Sequence, residues 1–330
     1  MRSLIISSFI ALLSVGLVPA QTFRGPTEAY TFDAPSGSLR AVEGFPGSAT
    51  FGLPLVTGVE SGWVAPNETY AIAIKNGSSV FVSGLNSAKV ATAAIPGIYG
   101  QPEGVQWSSD GTLAVLYSFS GKWMQTVSDL PKAPHANPHQ DLALLGGTFS
   151  AISTDTSGKH IAIAISGESG GVYLSSAGQD FIPLAKMANP IALSFSENGE
   201  SLYALDGAAL KLAVITLSNW STQTVSLAGL ENPFAIKAGH DTANHPLVLV
   251  ASGKDRRIGV YNPATEKMQS TFRLSFEPTG IESFGRSSFV IAARSKAADP
   301  LWLFTTAPRT AVYFVPATPA AATLANKELQ

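Results

Sequence analysis

Gly167-Glu168-Ser169-Gly170-Gly171 has the G-x-S-x-G spacing that, in serine hydrolases, presents a nucleophilic serine beside an oxyanion hole. That chemistry needs a strand turning sharply into a helix, which strains and exposes the serine. Here Ile161-Ala-Ile-Ala-Ile165 precedes the motif and Val172-Tyr-Leu174 follows at once, and both read as strands. A Gly-rich segment between two β runs suits a hairpin loop whose backbone takes positive φ. Ser169 is therefore read as a loop residue.

Four of the five histidines fall in two groups, His135-Ala-Asn-Pro-His139 with Asp141, and His240-Asp241 with His245. On a helix, His135 and His139 would share a face as metal ligands do, but Pro138 disfavours helix at Asn137, and neither group fixes a third ligand. Surface-loop histidines are the preferred reading. Asp110, Asp155 and Glu197 are expected at equivalent turns of different repeats, where they would ring one face; turn capping accounts for each without a cation. Trp63, Trp107 and Phe195 are expected on or beside inner strands, packed between repeats, with Trp107 also a candidate for lining an axial channel. Asn67-Glu-Thr69, Asn76-Gly-Ser78 and Asn219-Trp-Ser221 fit the N-glycosylation pattern and matter only if export passes through an endoplasmic reticulum.

Those residues need a framework, and the bulk properties restrict it. A basic start at Arg2, an apolar run from Leu4 to Val18 and the small-residue ending Val18-Pro19-Ala20 predict a secretory signal peptide over residues 1–20. The run is short for a membrane span of about 20 residues, so no integral span is expected after cleavage, and a secreted or periplasmic location follows. There are no cysteines, so no disulfide or Cys-ligated metal can exist and the fold rests on its core. Charged residues are 13% of the chain and the net charge is -2. Nucleic acid and acidic membrane surfaces are poor partners for such a chain, because phosphate binding needs clustered Lys and Arg. The nearest such cluster, Lys254-Asp255-Arg256-Arg257, reads as a solvated turn.

Short β-like runs recur: Thr69-Tyr-Ala-Ile-Ala-Ile74, Thr112-Leu-Ala-Val-Leu-Tyr117, His160-Ile-Ala-Ile-Ala-Ile165, Ser201-Leu-Tyr-Ala-Leu205, Pro246-Leu-Val-Leu-Val250 and Ser288-Phe-Val-Ile-Ala292. Their second residues stand at 70, 113, 161, 202, 247 and 289, steps of 43, 48, 41, 45 and 42, the spacing of four-stranded propeller blades. Matching turns precede several of them, as in Trp107-Ser-Ser-Asp-Gly111, Phe195-Ser-Glu-Asn-Gly199 and Asp155-Thr-Ser-Gly158.

These turns resemble the S-P-D-G repeats of bacterial WD40-like propellers. Ile258-Gly-Val-Tyr-Asn-Pro-Ala-Thr265, Leu212-Ala-Val-Ile-Thr-Leu217 and the N-terminal Ala29-Tyr-Thr-Phe-Asp-Ala-Pro-Ser-Gly37 resemble a strand of YVTN-type propellers. The resemblance spans residues 29–315 and implies an all-β propeller of six or seven four-stranded blades. The N-terminal pair of strands is expected to close the ring against the last blade. Residues 21–28 read as a linker and 316–330 as an Ala/Thr/Pro-rich tail.

The function expected of this architecture is a non-enzymatic binding or scaffold disc for a protein, peptide or glycan, with no cofactor and no metal. The alternative is a lactonase-type propeller hydrolase, which the YVTN resemblance alone suggests. Charged or histidine side chains from several blades meeting at the axis would mark that alternative. Inner-strand segments such as Gly104-Val-Gln-Trp107 carry almost no charge, so Glu103 and Glu282 are the first acids to inspect, with Trp107, His240 and His245 as further channel or loop candidates.

Overall fold

The computed structural model describes residues 26–317 other than Ser169, Ala177 and Arg286. The expected signal peptide, most of the linker, Ser169 and residues 318–330 of the tail lie outside the described residues. Within them, seven antiparallel sheets follow one another along the chain and form a seven-bladed β-propeller. Of the six or seven blades expected, the number is seven.

The recurring runs are the second strands of blades 2 to 7: Tyr70–Lys75, Ala114–Ser118, His160–Ser166, Ser201–Asp206, Pro246–Ser252 and Ser288–Ala292. Each lies between two neighbouring blades, so both its faces are covered and it reads as a continuous apolar run instead of an alternation. Ile161, Ile163 and Ile165 face blade 3 beside Val115 and Met124, while Ala162 and Ala164 face Leu193 and Phe195 of blade 5. Large side chains on one face and small ones on the other let adjacent twisted sheets interdigitate.

Seven apolar clusters result, one per seam between blades. The cluster that closes the circle joins Ala29 and Val42 of the first blade to Val290, Leu301 and Leu303 of the last.

The N-terminal pair of strands does not simply pad the last blade. Thr27–Asp33 pairs with Ser38–Glu43, which in turn pairs with Thr50–Thr57, and the three form a first blade among the described residues. Glu28 lies by Ser288 and Gly285 at the start of the last blade's second strand, and Asp33 meets Arg294 beyond its end. Thr27–Asp33 therefore runs in the sense of that second strand, opposite to the innermost strand Glu282–Phe284. Ala29-Tyr-Thr-Phe-Asp33 thus belongs to an innermost described strand, whereas Ile258–Asn262 and Leu212–Thr216 lie in third strands.

A buried ionic clasp adds to the apolar seam. Arg40 Nη1 and Arg294 Nη1 reach the two oxygens of Asp33 at 3.2 and 2.8 Å. Ser36 Oγ donates to Asp33 Oδ2 at 2.6 Å, Arg40 Nε to Gly52 O at 2.9 Å, and Arg294 Nε to Asp299 O at 2.7 Å. Both guanidinium groups lie over the Phe51 ring, 5.2 and 4.9 Å from its centroid.

Candidate functional site

Every first strand of blades 2 to 7 ends in a turn on the same face of the disc, and these turns are tied together around the ring. Tyr70 OH donates to Gly111 O at 2.5 Å, Asp110 N to Thr156 O at 3.2 Å, and Thr156 Oγ1 to Glu197 O at 2.5 Å. The Glu197 carboxylate then meets His240 Nδ1 at 3.0 Å. One chain of contacts thereby links blades 2 through 6 and fixes the geometry of that channel mouth.

The three carboxylates expected at equivalent turns lie in them, between the first and second strands of blades 3, 4 and 5, but at different positions of the turn. Asp110 caps its turn, accepting from Ser108 Oγ at 2.7 Å and Thr112 N at 2.9 Å. In blade 5 that role belongs to Asn198, which accepts from Ser196 Oγ at 2.7 Å, so Glu197 stands one residue earlier and is released to bind His240. Asp155 takes the serine position and pairs with His160 Nδ1 at 2.8 Å. No group of three or more His, Asp or Glu side chains placed to hold a metal occurs among the described residues.

The histidine groups separate in the same way. His135 pairs with Asp129 at 3.2 Å, His139 stacks on Tyr99 with ring centroids 3.5 Å apart, and His245 pairs with Asp241 at 3.2 Å. His245 stays on the exposed tip of the blade 6 turn, while His240, five residues earlier, closes the innermost strand Pro233–His240.

Trp107 ends the innermost strand Gly104–Trp107, half-buried and edge-on to Tyr70 at 5.8 Å. Its indole Nε1 is buried without a hydrogen-bond partner. Trp63 packs in the same seam and Phe195 is buried between blades 4 and 5.

Glu103 and Glu282, alike in sequence, differ sharply in their surroundings. Glu103 accepts from Ser118 Oγ at 3.0 Å, Phe119 N at 2.9 Å and Ser120 Oγ, and it holds the Ser118–Lys122 hairpin closed. The Ser120 hydroxyl above all, with Ser118 and the two amides, draws its pKa below the usual carboxylate value, against a smaller opposing effect of burial. The carboxylate of Glu282, first residue of the innermost strand of blade 7, makes no hydrogen bond or ion pair with any described residue. Burial raises its pKa, and the nearby Lys237 opposes that rise.

Lys237 lies midway along the innermost strand of blade 6, and its ammonium likewise contacts no described partner. Burial lowers its pKa, while Glu282 and Glu197 pull it back up. Both side chains are ringed by the surrounding strands yet open to solvent: Lys237 is half-buried and Glu282 exposed. Both lie on innermost strands, which surround the axis of a propeller.

Tyr117 completes the picture from the far side. Its phenol packs so tightly over Gly104 that a Cβ there would lie 2.3 Å from its hydroxyl. Burial, and secondarily the charges of Glu282 and Glu103, push its pKa up to about 12. Blades 3 and 7 are on opposite sides of a seven-bladed ring, so Glu282 senses Tyr117 across the axis. The Glu282 charge thus bears on the ionisation of Tyr117 in blade 3 and of Lys237 in blade 6.

Lys237 and Tyr117 were not singled out from the sequence. A lone Lys in Pro233-Phe-Ala-Ile-Lys-Ala-Gly-His240 was the available signal, since an uncompensated charge in an apolar strand needs a reason.

Gly167, which opens the G-x-S-x-G segment, donates its amide to Ala188 O at 3.3 Å, close to the start of the innermost strand Pro190–Phe195 of blade 5. His160–Ser166 and Gly171–Ser176 pair directly across residues 167–170 as a hairpin, with no helix following. An open cleft of about 340 Å³ beside it is lined by Glu168, Gly170, Tyr173, Pro183 and Lys186. The basic cluster is also a hairpin turn, in which Asp255 accepts from Ser252 Oγ and, at 3.2 Å, from Glu231 N.

Comparison with solved structures finds the same architecture at low identity. The chain is similar to Kuenenia stuttgartiensis hydrazine synthase, at 14% identity over 76% of this chain and 77% of that one, with a TM-score of 0.53. It is similar to a chain of the nidogen/laminin complex, at 15% over 76% and 96%, with a TM-score of 0.51. A functionally unknown protein from Desulfotomaculum acetoxidans DSM 771 matches at 13% over 75% and 78%, with a TM-score of 0.55. The likeness is one of fold. No family model matches the sequence and no curated protein matches it.

Proposed function

We propose that this chain is an exported, non-enzymatic binding propeller that seats a protein, peptide or glycan ligand at the axial channel. One observation carries the reading: Lys237 and Glu282, on the innermost strands of adjacent blades, carry charges that make no hydrogen bond or ion pair with any described residue. An unpaired charge held away from bulk water is costly to the folded chain, and a ligand that completes it recovers that cost on binding. A propeller chain in a protein complex, as in nidogen/laminin, supports the use of this architecture for recognition. Export is supported by the composition of residues 1–20.

The same convergence of charged groups from several blades is what the lactonase-type alternative requires, so it stands as the second reading. The two part on turnover. The full chain screened on peptide and glycan arrays is expected to give a saturable ligand whose binding falls when Lys237 or Glu282 is replaced, while a lactone panel shows no hydrolysis above the Lys237→Met variant. Lactone hydrolysis lost in that variant would install the hydrolase reading instead.

A further inference from the structure

Blades 6 and 7 flank a cavity of about 220 Å³ that begins at the turn after the innermost strand of blade 6. Its apolar lining is Leu247 and Val260, both buried in the seam between the two blades. Blade 6 adds Asp241 from that turn and, from its outer strand Lys267–Arg273, Gln269 and Ser270. Blade 7 adds Thr306, Arg309 and Thr310 from the hairpin between its last two strands.

The backbone of each blade is shaped for this lining. Val260 pairs with Ser270 and Tyr261 with Met268, so Gln269 is an extra residue, a β-bulge. Met268 packs in the seam with blade 5, whereas Phe272, four residues on, packs in the seam with blade 7. An unbroken strand would put both on one face, so the bulge is what turns the strand, Ser270 included, toward blade 7. In blade 7, Thr305 pairs with Ala311 across the hairpin, and Thr305 Oγ1 donates to Arg309 O at 3.2 Å. Thr306 N and Oγ1 donate to Ser287 O at 2.9 and 3.2 Å. The hairpin backbone is held while the Arg309 side chain reaches solvent.

Asp241 is the acid of the lining, and its own turn engages it. Oδ1 accepts from Ala243 N at 2.8 Å and His245 N at 2.9 Å, and Oδ2 meets His245 Nδ1 at 3.2 Å. The guanidinium of Arg309 has no hydrogen-bond or ion-pair partner among the described residues, Asp241 included. Among the described residues the Gln269 amide and the Ser270 and Thr310 hydroxyls also lack a partner.

A ligand matched to this lining brings an anion for the guanidinium, hydroxyls for the amide and hydroxyl groups, and C–H surface for Leu247 and Val260. A sugar ring has hydroxyls at its edge and C–H groups on its faces, and a uronic acid adds a carboxylate that arginine holds by two parallel charge-assisted hydrogen bonds. The cavity is smaller than the about 300–1,000 Å³ of sites for drug-sized ligands, which suits a single ring.

We propose that the cavity between blades 6 and 7 is a subsite for a uronic-acid residue of an acidic glycan, with Arg309 as the carboxylate-binding group. The subsite uses neither Lys237 nor Glu282, so it goes beyond the axial seat and stands or falls apart from it.

The test is a saturation-transfer NMR titration of the full chain with methyl glucuronide and methyl galacturonide. Their neutral methyl glycosides, acetate and tetraglutamate are the comparison ligands. One uronide is expected to bind at least about 10-fold tighter than its neutral counterpart and than acetate, the worth of one added charge-assisted hydrogen bond. Arg309→Gln is expected to remove that advantage and leave the neutral sugar unchanged. Ser270→Ala is expected to weaken both sugars and leave acetate unchanged, with thermal melts run on every variant.

A uronide no tighter than its neutral sugar or than acetate, tighter binding of tetraglutamate, or uronide binding unchanged in Arg309→Gln overturns the proposal. Uronide binding lost in Lys237→Met or Glu282→Gln but kept in Arg309→Gln would overturn this subsite while supporting the axial seat. Uronide binding that needs Arg309, with array ligands indifferent to Lys237 and Glu282, would do the reverse.

Discussion

At the seam between the last and first blades, Asp33 is gripped by Arg40 and Arg294 at 3.2 and 2.8 Å; on the innermost strands of blades 6 and 7, Lys237 and Glu282 form no ion pair with each other or with any other described residue. The residue types are the same kind in both places, and the treatment is opposite. The clasp has its oxygens and guanidinium hydrogens occupied by serine, backbone carbonyl and counter-ion. The Lys237 ammonium and Glu282 carboxylate have no hydrogen-bond or ion-pair partner among the described residues. Charge that is saturated within the chain holds a ring shut, whereas charge kept bare on a rigid wall is available to something outside the chain.

The sharpest way to break that contrast is to remove one partner from each cluster. Arg294→Met leaves Asp33 and Arg40 buried with their geometry lost, and such a change costs about 3–5 kcal/mol. Urea unfolding followed by tryptophan fluorescence should show the loss, and an unchanged midpoint would mean that the apolar seam closes the ring alone. Replacing Asp33, Arg40 and Arg294 together by apolar residues of similar size should recover much of it, because the desolvation of three ions goes with them.

Gly104→Ala comes next. The new Cβ would fall 2.3 Å from the Tyr117 hydroxyl, so the phenol must swing away from the channel wall. Overpacking of this kind costs about 1–3 kcal/mol, read in the same unfolding experiment. Tyr117→Phe, which keeps the ring, should leave stability nearer to wild type.

Lys237→Met has the opposite expected sign from Arg294→Met. The bare ammonium contributes no contact and pays for desolvation, so the variant should match or exceed wild-type stability, by up to about 1 kcal/mol. Destabilisation comparable to that of Arg294→Met would show that Lys237 is structural and would erase the difference between the two clusters.

The smallest effect belongs to Glu103→Gln. Because hydrogen bonds from Ser120 and its neighbours lower the Glu103 pKa in the folded chain, its contribution is present above the ordinary carboxylate range and is lost as pH falls through the lowered value. Melting temperatures across the acid range should therefore fall less steeply in the variant than in wild type.

The blades were legible because their second strands are covered on both sides: Ile161-Ala-Ile-Ala-Ile165 and Pro246-Leu-Val-Leu-Val250 have no polar alternation to obscure the repeat. The first blade was not. Thr27–Asp33 is mostly half-buried, with only Ala29 and Asp33 fully covered, and its hairpin at Ala34–Gly37 lacks the capped turn of blades 3 and 5. It runs in the sense of the second strands and meets the last blade through Ser288 and Arg294, about 260 residues away in the chain, so local residues do not reveal it.

The candidate site was legible in half. Glu282 and His240 stood out as charges near inner strands, and so did Glu103, although only the structure distinguishes an acid saturated by Ser118 and Ser120 from one left bare. Glu197 was misplaced by one residue, since Phe195-Ser-Glu-Asn-Gly199 lets either polar residue appear to cap the turn. Lys237 was passed over because the facing of an inner-strand side chain depends on blade tilt.

The most direct measurement is the titration of the Glu282 carboxyl by carbon NMR in wild type and in Lys237→Met. Burial raises that pKa and Lys237 holds it down, so removing the ammonium should move the Glu282 titration to higher pH. A Glu282 titration unmoved by the substitution would place the two groups out of each other's reach, and the shared channel site with them.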